Sequence, residues 1–93
     1  MARRHQHTND RDGATVRPGD RVRVLGIPDL SGMRPPYRQE TERVFRHIVG
    51  RVKRVESIDT QSNAILMFRI RSGHAAGYHS IAIEGIHLRK VRT

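Results

Sequence analysis

Short stretches of this chain alternate apolar with charged residues, the period-two signature of strands with one buried face. The clearest is Arg21-Val22-Arg23-Val24, entered through Pro18-Gly19-Asp20. Pro18 presets a turn, Gly19 relaxes it, and Asp20 is placed to hydrogen-bond the backbone that follows. Residues 15–25 are therefore predicted as the first strand, with Val22 and Val24 inward and Arg21 and Arg23 outward. Gly26-Ile27-Pro28-Asp29 ends it, because proline cannot donate to a ladder. Residues 31–36 continue as loop.

The period then changes. Val44, Phe45, Ile48 and Val49 recur at helical spacing. Gly50 supplies the positive φ at which helices commonly stop. A short helix over residues 39–48 follows, with no capping box to fix its start. The competing assignment runs a strand from Val44 through Ile58. Pro35-Pro36 upstream and two adjacent apolar pairs argue against it. Residues 50–58 read as the second strand. Arg51-Val52-Lys53 alternates there, and Arg54-Val55 shifts the phase by one residue, the mark of a bulge or sharp bend. Residues 59–63 are a turn by composition. Residues 64–71 form the third strand, with Leu66, Phe68 and Ile70 inward. Ile65 and Met67 then face outward, where the helix could cover them. A loop of small residues leads to a fourth strand at 78–84, with Ile81 and Ile83 inward. Residues 84–88 read as one tight helical turn, and 89–91 as a closing strand that pairs back near the first.

Composition narrows what such a chain can do. Ninety-three residues make one domain, and 35% apolar residues with no tryptophan give a lean core,. A stability of ~5 kcal/mol is expected for it. The absence of cysteine excludes disulfides and thiol chemistry and favours a cytoplasmic setting. No apolar run approaches the ~18 residues that span a membrane. The opening dozen residues hold no apolar signal core. Residues 1–14 carry no apolar pattern and are expected to be a disordered tail, leaving residues 15–93 as the domain. Three arginines (Arg3, Arg4, Arg11) against Asp10 and Asp12 give that tail a charge of only +1. The chain as a whole carries +9, from 18 Lys and Arg against 9 Asp and Glu, and arginine outnumbers lysine 16 to 2. The excess therefore sits on the folded part. It favours a polyanionic partner: nucleic acid, an acidic protein surface or a charged membrane surface. High genomic GC content would also enrich arginine, with no bearing on binding.

Pro18-Gly19-Asp20-Arg21-Val22-Arg23-Val24, followed by Val49-Gly50-Arg51-Val52-Lys53-Arg54-Val55, resembles the two halves of a KOW motif. That family opens on Gly-Asp with alternating valines and places a glycine before its second strand. The ending from Ile81 to Val91 resembles the closing turn and strand of SH3-like domains. The resemblance implies a mainly β fold: a five-stranded SH3-like barrel with one short helix inserted between strands 1 and 2. KOW domains contact RNA or protein in ribosomal proteins and transcription elongation factors. They join their halves through a few residues, whereas residues 26–48 intervene here. Other SH3-like barrels, in the photosystem I peripheral subunit and nitrile hydratase assemblies, serve as docking pieces.

The candidate chemistry is electrostatic. With the valines, Phe68 and Ile70 inward, alternation sends Arg21, Arg23, Arg51, Lys53, Arg69 and Arg71 outward onto one face. Like charges across strands destabilise a sheet by ~0.2–1 kcal/mol per pair, so an anion is expected to meet that face. Interleaved Glu40, Glu42, Glu56 and Asp59 offer the alternative of internal neutralisation. Nucleic acid, with RNA favoured, is the expected ligand of these six residues. Only Tyr37 and Tyr78 offer exposed stacking, so backbone contact is expected to dominate. About five neutralised phosphates would give a log K against log salt slope of roughly −3.5 to −4.5. The alternative is a protein-docking subunit that uses Met33, Tyr37 and Phe45 on the helix and its approach. Self-association through open strand edges is a third reading. No catalytic activity or cofactor is indicated. The chain has no cysteine nucleophile, no glycine-rich phosphate loop and no Ser-His-acid spacing. His74, His79 and His87 match no zinc pattern, and His5 and His7 read as solvated.

Overall fold

The structure, a computed structural model, describes residues 7–92; Arg3, Arg4 and His5 lie outside them. In chain order the elements are β1 (Thr8–Asn9), β2 (Thr15–Val16), β3 (Arg21–Val24), α1 (Tyr37–Ile48), β4 (Val52–Ile58), β5 (Ala64–Ile70), β6 (Gly77–Ile83), a 3₁₀ turn (Gly85–His87) and β7 (Leu88–Lys90). The protein is mainly β, with one helix between β3 and β4. Local chemistry accounts for the joints. Arg17 to Asp20 form a turn with proline second and Gly19 third at φ +91°, closed by the Asp20 N–H on the Arg17 carbonyl,. The Asp20 carboxylate turns backward and accepts from the Arg17 N–H at 2.9 Å; the sequence reading aimed it at the backbone that follows. At the other end of the helix, Gly50 takes φ +82° and the Arg51 N–H reaches the Ile48 carbonyl. That turn stops α1 where the glycine predicts. The helix starts two residues earlier than expected, and its first turn has no side-chain cap.

The five longer strands form an antiparallel sheet in the order β6-β5-β4-β3-β7. β4 is the shared element. Its first half pairs with β3 and its second with β5, and the register shifts between Val55 and Ser57. The expected bulge is therefore present, one position further along than the sequence pattern put it. The sheet is open, since β6 and β7 share no ladder among the described residues. Closure into a barrel is not seen, and the free side of β7 has another occupant. The Arg11 N–H donates to the Leu88 carbonyl at 2.9 Å, and the Lys90 N–H donates to the Asp10 carboxylate at 2.7 Å.

That occupant corrects the expectation of a disordered segment through residue 14. From Thr8 onward the chain is part of the fold: β1 pairs with β2, and Thr8 and Asp10 are buried. Asp10, 7% exposed, also accepts from the Asp12 and Ala14 N–H groups. Gly85 explains the close approach of β1. A Cβ there would overlap the Asn9 carbonyl oxygen, so only glycine lets β1 lie against the 3₁₀ turn,. None of these contacts is apolar, which is why a hydrophobic-pattern reading passes over the segment.

The core gathers Val16, Val22, Val24, Val55, Leu66, Phe68, Ile70, Ile83 and Leu88 from the strands with Val44, Phe45 and Ile48 from α1. At about 1.5–3 kcal/mol for each fully buried large apolar side chain, α1 is held mainly by these three residues. Its Glu42–Arg46 ion pair, at 2.6 Å, is exposed and adds little. The helix does not cover Met67, which stays exposed beside Tyr78 on the opposite face of the sheet.

Candidate nucleic-acid interface

Strand register decides where the six basic candidates go, because directly paired residues share a face. Arg23 pairs with Val52 and Arg89, and Arg21 with Arg54. Val22 pairs with Lys53, so Lys53 sits on the inner face and not beside Arg21 and Arg23. The cause is the bulge. With Val55 buried and the slip falling after it, the inward positions of β4 are Val55 and Lys53, and Arg51 continues the same row. A one-position error in locating the slip flips every side chain before it.

The flip turns Lys53 inward over Phe68, while Arg69 stays on the outer face with its strand partner Tyr78; the two meet only at the rim of the sheet, where β4 begins, β5 ends and α1 terminates. Arg51, Lys53, Arg69 and Arg71 line a cleft of about 550 Å³, with Phe68, Ile70 and Ile48 as its apolar floor and His47 and Ser72 at its rim. No carboxylate among the described residues lines it. None of the four cations makes an ion pair among the described residues. Lys53 Nζ rests 5.3 Å from the centre of the Phe68 ring, and the Arg69 guanidinium 5.4 Å from that of Tyr78. Both contacts leave the charge available to an anion while fixing its direction. Phe68 is itself braced by His79, 5.8 Å away ring to ring, whose Nε2 bonds the Ala75 carbonyl at 2.6 Å. Tyr78, 80% exposed, stands next to Arg69 as an open aromatic surface.

Arg21 lies elsewhere. With Arg54, Lys90 and Arg92 it lines a second concavity of about 570 Å³ that also contains Asp20. There Lys90 pairs with Asp20 at 3.3 Å and donates to the Thr15 carbonyl at 3.1 Å. The Arg17 N–H, and beyond it the Lys90 ammonium, hold the Asp20 carboxyl below the usual carboxylate range against the opposing effect of burial. Arg23 belongs to neither cleft; its Nη1 donates to the Gly50 carbonyl at 2.7 Å and ties the helix exit to β3. The single continuous patch expected from the sequence is thus two surfaces plus one structural arginine.

No family model, curated protein or solved structure matches this chain.

The docking candidates divide as well. Phe45 is 3% exposed and belongs to the core, so it is no surface anchor; the helix needs it to hold the sheet. Tyr37, 65% exposed, and Met33 are open to solvent. Among the described residues, no three His, Asp or Glu side chains gather in a metal-holding group. His79 is engaged with Phe68 and Ala75, and His87 lies in the 3₁₀ turn. No helix of the described chain is long and apolar enough to cross a membrane. The sequence reading missed His47 as a site residue. Its signal was position, at the last turn of a helix that ends against the basic strands.

Proposed function

We propose that this is a non-catalytic module of SH3-like architecture that binds RNA through the phosphate backbone, using the cleft of Arg51, Lys53, Arg69 and Arg71. The observation that carries the reading is four cations bordering one concavity, with no ion-pair partner and no lining carboxylate among the described residues. Three of the four are arginines, whose planar fork suits phosphate oxygens. Tyr78 adds a sequence-tolerant stacking surface beside Arg69. The run β7-β3-β4-β5-β6, with a single helical turn before the last strand, supports the SH3-like assignment.

The test is a salt titration of binding to a labelled single-stranded RNA. Four contacts on an unpaired strand give a log K against log salt slope of about −2.8, shallower than the six-residue patch implied. Binding that is absent at low ionic strength, or insensitive to salt, would exclude the reading. Docking of a protein partner through Tyr37 and Met33 is the competing function. It expects capture of a protein by a face that the RNA titration does not touch.

A further inference from the structure

His47 lines two clefts at once. Besides the rim of the basic cleft, it forms one wall of a neighbouring concavity of about 300 Å³, completed by Arg43, Arg46, His74 and Ala75. Arg43, Arg46 and His47 stand three and four residues apart, hence on one stripe of α1, and all are exposed. The facing wall is the loop between β5 and β6. A turn bonding the Ala76 N–H to the Gly73 carbonyl shapes this loop, and the bond between Ala75 and His79 pins it. Arg46 is already held by Glu42. Arg43 and His74 have no hydrogen-bond or ion-pair partner among the described residues.

Resting on the cleft reading above, we propose that the bound strand continues past His47 into this second cleft, so that the ligand is an unpaired RNA strand gripped on both sides of one histidine. The volumes, about 300 and 550 Å³, are those of sites that enclose small ligands. Hollows of this size take nucleotides splayed from an unpaired strand. An imidazole standing between two phosphate-binding hollows is placed to stack a base. Arg43 and His74 then meet the backbone on the far side, and Arg51 and Arg71 on the near side.

The experiment compares labelled oligouridylates of 4 and 12 nucleotides by fluorescence anisotropy. The shorter probe fills the first cleft only. Arg43→Ala combined with His74→Ala should leave its affinity unchanged, while weakening the 12-mer and flattening its salt slope by about 0.7 for the lost arginine. His47→Ala should weaken the 12-mer about tenfold, and His47→Phe should restore it, as stacking requires. Suppose the Arg43/His74 variant binds the 12-mer as well as the wild type does, while Arg51→Gln with Arg71→Gln weakens both probes. The continuation is then wrong and the first cleft stands. If the Arg51/Arg71 variant changes neither probe, the cleft reading fails and takes the continuation with it. Duplex RNA bound as tightly as the 12-mer would also overturn the proposal.

Discussion

Two concave basic surfaces lie on this small protein, each lined by four cations, and they differ in what answers the charge. At the β3-β7 end, Arg21, Arg54, Lys90 and Arg92 surround Asp20, and Lys90 is bonded to it. Nearby, Asp12 pairs with Arg89 at 2.9 Å, and Asp10 takes the Lys90 N–H. At the β4-β5 end no acid among the described residues pairs with Arg51, Lys53, Arg69 or Arg71. Net charge alone cannot tell these ends apart. A cation bonded within the fold has already spent its desolvation and geometry on structure, whereas an unpaired one in a cleft retains both for a ligand.

The largest effect expected from this contrast is on binding. Replacing Arg51, Arg69 and Arg71 by Gln and Lys53 by Met removes the charge and keeps the side-chain bulk. The first cleft's share of the salt slope for single-stranded RNA, about −2.8, should fall to near zero. Between 1 M and 50 mM salt that slope amounts to about four-thousandfold in affinity, so binding at 50 mM should weaken by roughly that factor. The matching change at the other end, Arg21→Gln with Arg54→Gln, should leave the slope within about one unit of the wild type. Equal losses from the two variants would erase the distinction between the surfaces.

Next in size is a stability effect confined to the acidic end. Burial by itself raises the Asp10 carboxyl. The N–H groups of Lys90, Ala14 and Asp12, with the charge of Arg89, outweigh burial and hold it below the usual carboxylate range. Asp10→Ala orphans those three N–H groups and frees the edge of β7. A loss of about 2 kcal/mol is expected, which is about 8–16 °C in melting temperature for a domain of this size. RNA affinity of the folded variant should not change. The same carboxylates set the acid limit. Asp10 and Asp20 both have folded values below the unfolded one of about 3.9, so their contribution is fully present above that pH. It is lost as pH falls through the lowered values. Thermal melts should be level from pH 7 to about 5 and then drop, and Asp10→Asn should make the drop shallower.

The alternation in β3 and β5, the helix ending at Gly50 and the single turn before β7 are all legible in the sequence, because each rests on local periodicity or a glycine. The site is legible only in part. Arg51 and Lys53 carry the right charge, but their face depends on whether β4 slips before or after Val55. Val52 and Val55 are equally apolar, so composition is silent on that point. The docking of residues 8–14 was hidden for a different reason. It is built from backbone hydrogen bonds to Asp10 and from the missing Cβ of Gly85, neither of which leaves a hydrophobic pattern. Phe45 misled in the opposite way, since an aromatic on a helix reads equally as an anchor for a partner or for the helix itself.

Arg23 gives the smallest and most discriminating measurement. From the sequence it belongs with Arg21 on a ligand face, and a ligand contact would make Arg23→Gln flatten the salt slope by about 0.7. In the fold its guanidinium is bonded to the Gly50 carbonyl across 27 positions of the chain, where the chain leaves α1 for β4. The bond is exposed, so its loss should lower stability by less than about 1 kcal/mol. Any change in RNA binding should be under twofold, and should arise only because Gly50 positions Arg51. A slope that flattens with stability intact would return Arg23 to the ligand face and make the two basic surfaces one.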